Sequence, residues 1–267
     1  MNRLIKLEWI KNKSNLTFWI LLLVYLGAVF VILSSGKILM NATYEFTSNQ
    51  EIQEIPQITI YDFPGIWHNL SYIGSFVRIL LAIVMVVNIS NEISFRTIRQ
   101  NIIDGLSKEH FLASKLIWAF ALSSVATLAF IGITLYFGFQ YSPSKTSEVI
   151  LSNLDFIGAY FIEVFGYLCF AMMVTFWIKK SGLSIMFILA YSILFENFIG
   201  WVFLDSEGFL IKLLPINALD NLIRIPMNFL DPESVQKTVE ITEPSIALGW
   251  TAGFIFLSYL LLKNRDV

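Results

Sequence analysis

Residues 91–115, NEISFRTIRQNIIDGLSKEHFLASK, form the longest well-charged stretch between two apolar runs of this chain. The stretch carries Arg96, Arg99, Lys108 and Lys115. Phe95, Ile98 and Ile102 recur at i, i+3 and i+7, one stripe of an amphipathic helix. Glu92 and Arg96 stand in the favourable order for an i, i+4 ion pair. Asp104-Gly105 ends that helix, because glycine adopts left-handed backbone at little cost. Ser107 is placed to cap the next helix, with Glu109 in its positive first turn. The stretch reads as helix, glycine break and capped helix running into an apolar span. A membrane-surface helix without a partner has the same periodicity; the dense polar face and the sharp turn favour a partner.

The flanks decide the fold class. Residues 71–89 before the stretch and 111–139 after it are apolar runs long enough to cross a bilayer. Further runs occupy 16–33, 154–178, 183–204 and 245–262, and they recur along the whole chain. Of the 267 residues 56% are hydrophobic and only 14% charged, with 24 Phe and a mean hydropathy of +0.69. Soluble domains are usually about 25% charged. The expectation is an all-α membrane protein of six transmembrane helices forming a single domain over 1–267. The first apolar run exceeds a signal-peptide core and reads as a retained span. A net charge of −2 argues against a nucleic-acid surface. The one cysteine, Cys169, lies in an apolar run and reads as a packing residue.

Lysine and arginine placement sets the expected orientation. Arg3, Lys6, Lys11 and Lys13, the four cations of 91–115, Lys179-Lys180, and Lys263 with Arg265 fall on one side of a six-span layout. They are most of the 18 cations, and that side reads as cytoplasmic, both termini included. Residues 1–14 allow a short amphipathic helix with Trp9 at headgroup level; a plain basic flank of the first span is the alternative. Residues 205–244 contain two short apolar segments, 209–214 and 219–225, punctuated by Pro215, Pro226 and Pro232. They predict re-entrant-like short helices before the last span, or otherwise a surface hairpin.

Chemical motifs are sparse. There is no Gly-x-x-x-x-Gly-Lys-Ser/Thr phosphate loop, no His-Glu-x-x-His pair and no Gly-x-Ser-x-Gly elbow. His68 and His110 fall on opposite sides of the layout. No catalytic residue and no metal ligand is expected, and ATP chemistry, if used, belongs to another chain. Arg78, Glu163 and Glu196 lie within the spans, each roughly 10–14 Å from the outer end at 1.5 Å per residue. A charge in lipid costs about 2.5–3.5 kcal/mol or more, so such groups face a partner or a wet cavity. Arg78 is expected to pair with Glu163 or Glu196, within the chain or across a dimer; the alternative is a snorkelling arginine and separate glutamates.

At this point a resemblance is visible. Asn91-Glu92, Thr97-Ile98-Arg99-Gln100, Ile102-Ile103-Asp104-Gly105-Leu106-Ser107 and Phe111-Leu112-Ala113-Ser114-Lys115 resemble the cytoplasmic loop of type 2 ABC transporter permeases. The six-span layout and the semi-apolar stretch before the last span resemble that family over the whole chain. Within it the chain looks like the short permeases that work beside a separate ATPase, including lantibiotic-immunity and peptide-resistance transporters. The resemblance implies a coupling helix over 92–104 that engages a cytoplasmic ATP-binding cassette ATPase through Glu92, Arg96, Thr97, Arg99, Asp104, Gly105 and Leu106. It also implies two permease chains per complex, identical or sibling, and a bacterial cytoplasmic membrane location. Spans one, two and five would border an outward substrate path. No cofactor is expected in this chain; ATP and Mg would be held by the ATPase. A membrane scaffold or sensor coupled to an ATPase, and an intramembrane hydrolase using Glu163 and Glu196, are the competing functions.

Overall fold

The computed structural model describes residues 2–50, 60–95, 97–103, 105–203, 209–226 and 236–264. All regular structure among them is helical. In chain order the helices are α1 (Asn2–Lys13), α2 (Leu16–Gln50), α3 (Ile66–Ser75), α4 (Arg78–Ser94), α5 (Thr97–Ile103), α6 (Lys108–Tyr141), α7 (Ser147–Leu151) and α8 (Asp155–Ile178). After these come α9 (Ser181–Ala190), a π-helical turn at Tyr191–Phe195, α10 (Glu196–Phe203), α11 (Phe209–Lys212), α12 (Pro215–Asp220) and α13 (Thr242–Lys263).

Five stretches are long and apolar enough to cross a membrane: Leu16–Gly36, Lys108–Tyr141, Ser147–Ile178, Ser181–Gly200 and Thr242–Lys263. Helices α3 and α4 pass the same test together, but they are bent by 43° where Phe76 and Val77 interrupt them. The sequence predicts a span over roughly 71–89; the helical structure starts earlier, at Ile66, and breaks immediately before Arg78. The expected fifth span, 183–204, is likewise not one regular helix. It contains the π turn, which adds a residue to one turn and re-aims the helix beyond it. Its predicted last residue, Leu204, lies outside the described residues.

Helix α8 is the centre of the bundle. It packs against α3, α4, α6, α9, α12 and α13. In the span that ends with it 67% of the apolar window is buried, against 39% at most in the other single spans. Its small residues permit close approach: a Cβ on Gly166 would stand 2.6 Å from Leu219 Cδ2 and 2.8 Å from Thr251 Oγ1. Short α12 is therefore seated directly on the central helix. Large apolar side chains point outward elsewhere, among them Leu23, Leu128, Met186 and Leu194, each more than three-fifths exposed. In water such a surface is unfavourable, whereas lipid tails accept it.

The region before α13 departs from the predicted pair of short helices. The second helix begins at Pro215, which is favoured at a first helical position because its missing N–H has no partner there anyway. It ends at Asp220, so the expected helix over 219–225 does not form. Asp220 and Arg224, four residues apart, turn to different partners, Asp220 to Arg78 and Arg224 to Glu243.

Candidate functional site

Two buried charge clusters sit at opposite ends of the bundle. The first gathers α1, α4 and α6. Lys115, fully buried on α6, donates to both carboxylate oxygens of Glu8 (2.8 and 3.0 Å), to Glu92 Oε1 (2.7 Å) and to Asn88 Oδ1 (3.1 Å). Its ammonium also lies 5.4 Å from the Phe111 ring centroid. Lys11 reaches Glu92 Oε1 at 3.2 Å, Ser114 donates to Glu8 Oε1 at 3.0 Å, and Asn88 donates to Asn12 Oδ1 at 2.6 Å. Two lysines thus balance two glutamates, the condition under which buried charges are tolerated. Glu8 and Asn12, one turn apart, are buried, while Trp9 and Ile10 are about half exposed. Trp9 packs edge-on to Trp19, with ring centroids 6.4 Å apart.

This cluster places Glu92 at the end of α4 with its carboxylate turned inward. The predicted coupling helix over 92–104 is shorter, running only over α5, and Phe95 is in the turn before it. Arg96 and Asp104 lie outside the described residues, as does the side chain of Arg99. Thr97 opens α5 and donates from Oγ1 to the Glu92 carbonyl at 3.1 Å. Gly105 has φ +93°, a conformation that other residues rarely adopt, and Leu106 packs half-buried against the core. Ser107 caps α6, accepting from the His110 amide at 3.2 Å. Changing Ser107 to Ala is expected to lower stability by about 1 kcal/mol. Thermal unfolding of the detergent-purified chain measures it, and Ser107→Asp should avoid most of that loss.

The second cluster sits at the break between α3 and α4. Arg78 forms ion pairs with Glu163 on α8 and with Asp220 at the end of α12. Its guanidinium also lies 4.6 Å from the Tyr167 ring centroid, and Ser75 donates to Glu163 Oε2 at 2.7 Å. Glu196 does not join this group. It accepts from the amides of Ile216 and Asn217 at 2.8 and 2.7 Å, at the N-terminus of α12. A carboxylate is stabilised there by unpaired N–H groups and the helix dipole. Helix α12 is therefore held at both ends by charge, at its start from Glu196 and at its end from Arg78. Glu163 and Glu196, the pair a hydrolase would need, serve different partners. Among the described residues no group of three His, Cys, Asp or Glu side chains could hold a metal ion.

Asp220 and Glu8 are the members that sequence reasoning missed. Asp220 sits on a segment of ambiguous structure. Glu8 is the one acid among the bases of α1, one turn from Asn12, and that spacing was the available signal.

The fold and these intramembrane charges define a multi-span, all-α membrane protein. Within that class the chain belongs to the family described as "Protein of unknown function (DUF2705)", whose model matches residues 13–267. No curated protein matches it.

Proposed function

We propose that this chain is the membrane-spanning permease subunit of an ABC exporter, resembling type 2 permeases, that moves a substrate outward. The energy comes from ATP hydrolysis by a separate cytoplasmic ATP-binding cassette subunit, and the substrate is a peptide, an antibiotic or a lipid-like molecule. The subunit has six spans, with α3 and α4 counted as one, and both termini on the cytoplasmic side of a bacterial membrane. It pairs with a second copy or a sibling permease.

The observation that carries this reading is the segment around α5. Phe95 and Ile103, at its two ends, are 76% and 78% exposed although they lie outside the apolar spans. Exposed large apolar side chains mark a contact with a protein or with the membrane surface, and the dense polar face of residues 91–115 favours a protein. Behind them the Lys115 cluster ties the end of α4 to the start of α6 and to α1, so a push on α5 is delivered to two spans. Gly105, at φ +93°, lies in the connection between α5 and α6.

The test is whether this chain, purified from its native membrane, brings down an ATP-binding cassette ATPase. Replacing Ile103 with Asp is expected to weaken capture about tenfold, the loss typical of one buried contact residue. ATP turnover by the complex should fall with it. If the ATPase is never captured, or Ile103→Asp changes neither quantity, the reading fails. ATP-driven export from membrane vesicles separates a transporter from a scaffold or sensor.

A further inference from the structure

A groove of about 460 Å³ lies between α8 and α13 at the basic end of the bundle. Its walls are Met173, Phe176, Trp177, Leu257, Leu260 and Leu261, and its mouth carries Lys179 and Asn264. The volume falls within the range of about 300–1,000 Å³ usual for small-molecule sites. Trp177 and Leu257 are substantially exposed, so the groove opens sideways, toward the surface that lipid covers.

Its mouth has one sign of charge. Lys179 closes α8 in the left-handed conformation (φ +66°), and its amide donates to the Thr175 carbonyl at 2.9 Å. Its side chain is exposed, as is that of Lys180. The end of α13 lies beside the start of α6, where Lys108 donates to the Lys263 carbonyl at 3.1 Å. That contact places further cations at this end of the bundle. None of the lining residues is acidic. The nearby Glu109 accepts a hydrogen bond from Tyr259.

We infer that this groove binds one anionic phospholipid of the adjoining leaflet, with an acyl chain along Phe176 and Leu257 and the headgroup phosphate at Lys179. Apolar walls that end at Lys179, with exposed Lys180 next to it in the chain, match such a molecule at both ends, since basic pockets between spans recognise anionic headgroups. The Asn264 amide can donate to phosphate oxygens that Lys179 leaves unpaired. A second copy of this chain is the poorer occupant. A twofold interface at the groove would bring Lys179 against its own counterpart, a like-charge contact. The inference needs no assumption about transport, because it rests on shape and charge alone.

The experiment uses the full chain purified in neutral detergent, with phosphatidylglycerol or phosphatidylcholine of the same acyl chains added. Native mass spectrometry reads bound lipid, and thermal unfolding reads stabilisation. Phosphatidylglycerol is expected to remain bound and to raise the melting temperature more than phosphatidylcholine. Lys179→Gln should weaken phosphatidylglycerol retention about fivefold, as the loss of one lysine near an anionic lipid does, and erase the preference. Leu257→Trp, which fills the groove from a partly exposed position, should abolish retention of both lipids. Inorganic phosphate should have no effect. Equal binding of the two lipids, or retention unchanged in both variants, overturns the inference. So does a dimer that carries no lipid and dissociates in Leu257→Trp.

Discussion

Replacing Lys115 with methionine is expected to cost about 3–5 kcal/mol of stability, among the largest losses any single change in this chain can cause. The ammonium is fully buried and is shared by Glu8, Glu92 and Asn88. Methionine fills the space but leaves Glu8, only 3% exposed, facing Glu92 with no cation between them except Lys11. Two like charges in a site closed to water are strongly disfavoured. Lys115→Met/Glu8→Gln should recover part of the loss, because one charge has been removed with its partner. The coupling between the two positions should exceed about 1 kcal/mol, as it does for groups in one hydrogen-bonded network. Thermal unfolding of the purified chain and its variants measures each quantity. Strictly additive losses would mean that Lys115 and Glu8 do not form one unit. Because the cluster pins α1 to α4 and α6, limited proteolysis should also cut the Lys115→Met variant faster within residues 1–15.

The contrast between the two clusters explains what could be read from the amino-acid order. Apolar run length is a local property, and the spans containing α2, α6, α8 and α13 follow from it directly. Ser107 and Gly105 were equally legible, because a cap and a left-handed turn depend on adjacent residues. The breaks were not. The bend at Phe76 and Val77 lies within an apolar run, and its local signal is only the Gly74-Ser75 pair just before it. It forms where α3 must pack on α8 while Arg78 turns toward Glu163, a demand set by tertiary contacts. The π turn in the fifth span has the same invisibility. By charge placement Lys115 reads as the basic flank of a span, although it stands inside the apolar run that begins at Phe111. Its burial depends on Glu8, more than a hundred residues earlier in the chain, and periodicity cannot find such a partner. Arg78 and Glu163 stood out because isolated charges in apolar runs demand a partner. Which carboxylates answer Arg78 depends on where α12 lies.

Arg78 presents the second large expected loss, and its two carboxylate partners separate in a way that can be measured. Arg78→Ala should cost about 3–5 kcal/mol, because it leaves Glu163, only 1% exposed, as an uncompensated anion against the central helix. Arg78→Lys should restore only part of this. A lysine is a single point charge, whereas the guanidinium sends one nitrogen to Glu163 and another to Asp220. Asp220→Asn should cost no more than about 1 kcal/mol, since that side chain is 44% exposed and water can replace much of what it loses. Glu163→Gln should be several times more harmful, because it leaves the buried Arg78 charge with only the partly exposed Asp220 as a counterion. Exchanging the charges, with Arg78→Glu and Glu163→Arg together, should recover a measurable part of what each single reversal loses. Equal losses for Asp220→Asn and Glu163→Gln would show that the two carboxylates share the arginine evenly. In the expected order, Glu163 anchors Arg78 to α8, and Asp220 is the weaker of the two charge contacts that hold α12. Helix α12 can then release at its Asp220 end while Glu196 still holds its start. That end of the bundle would loosen before the packing around α8 is disturbed.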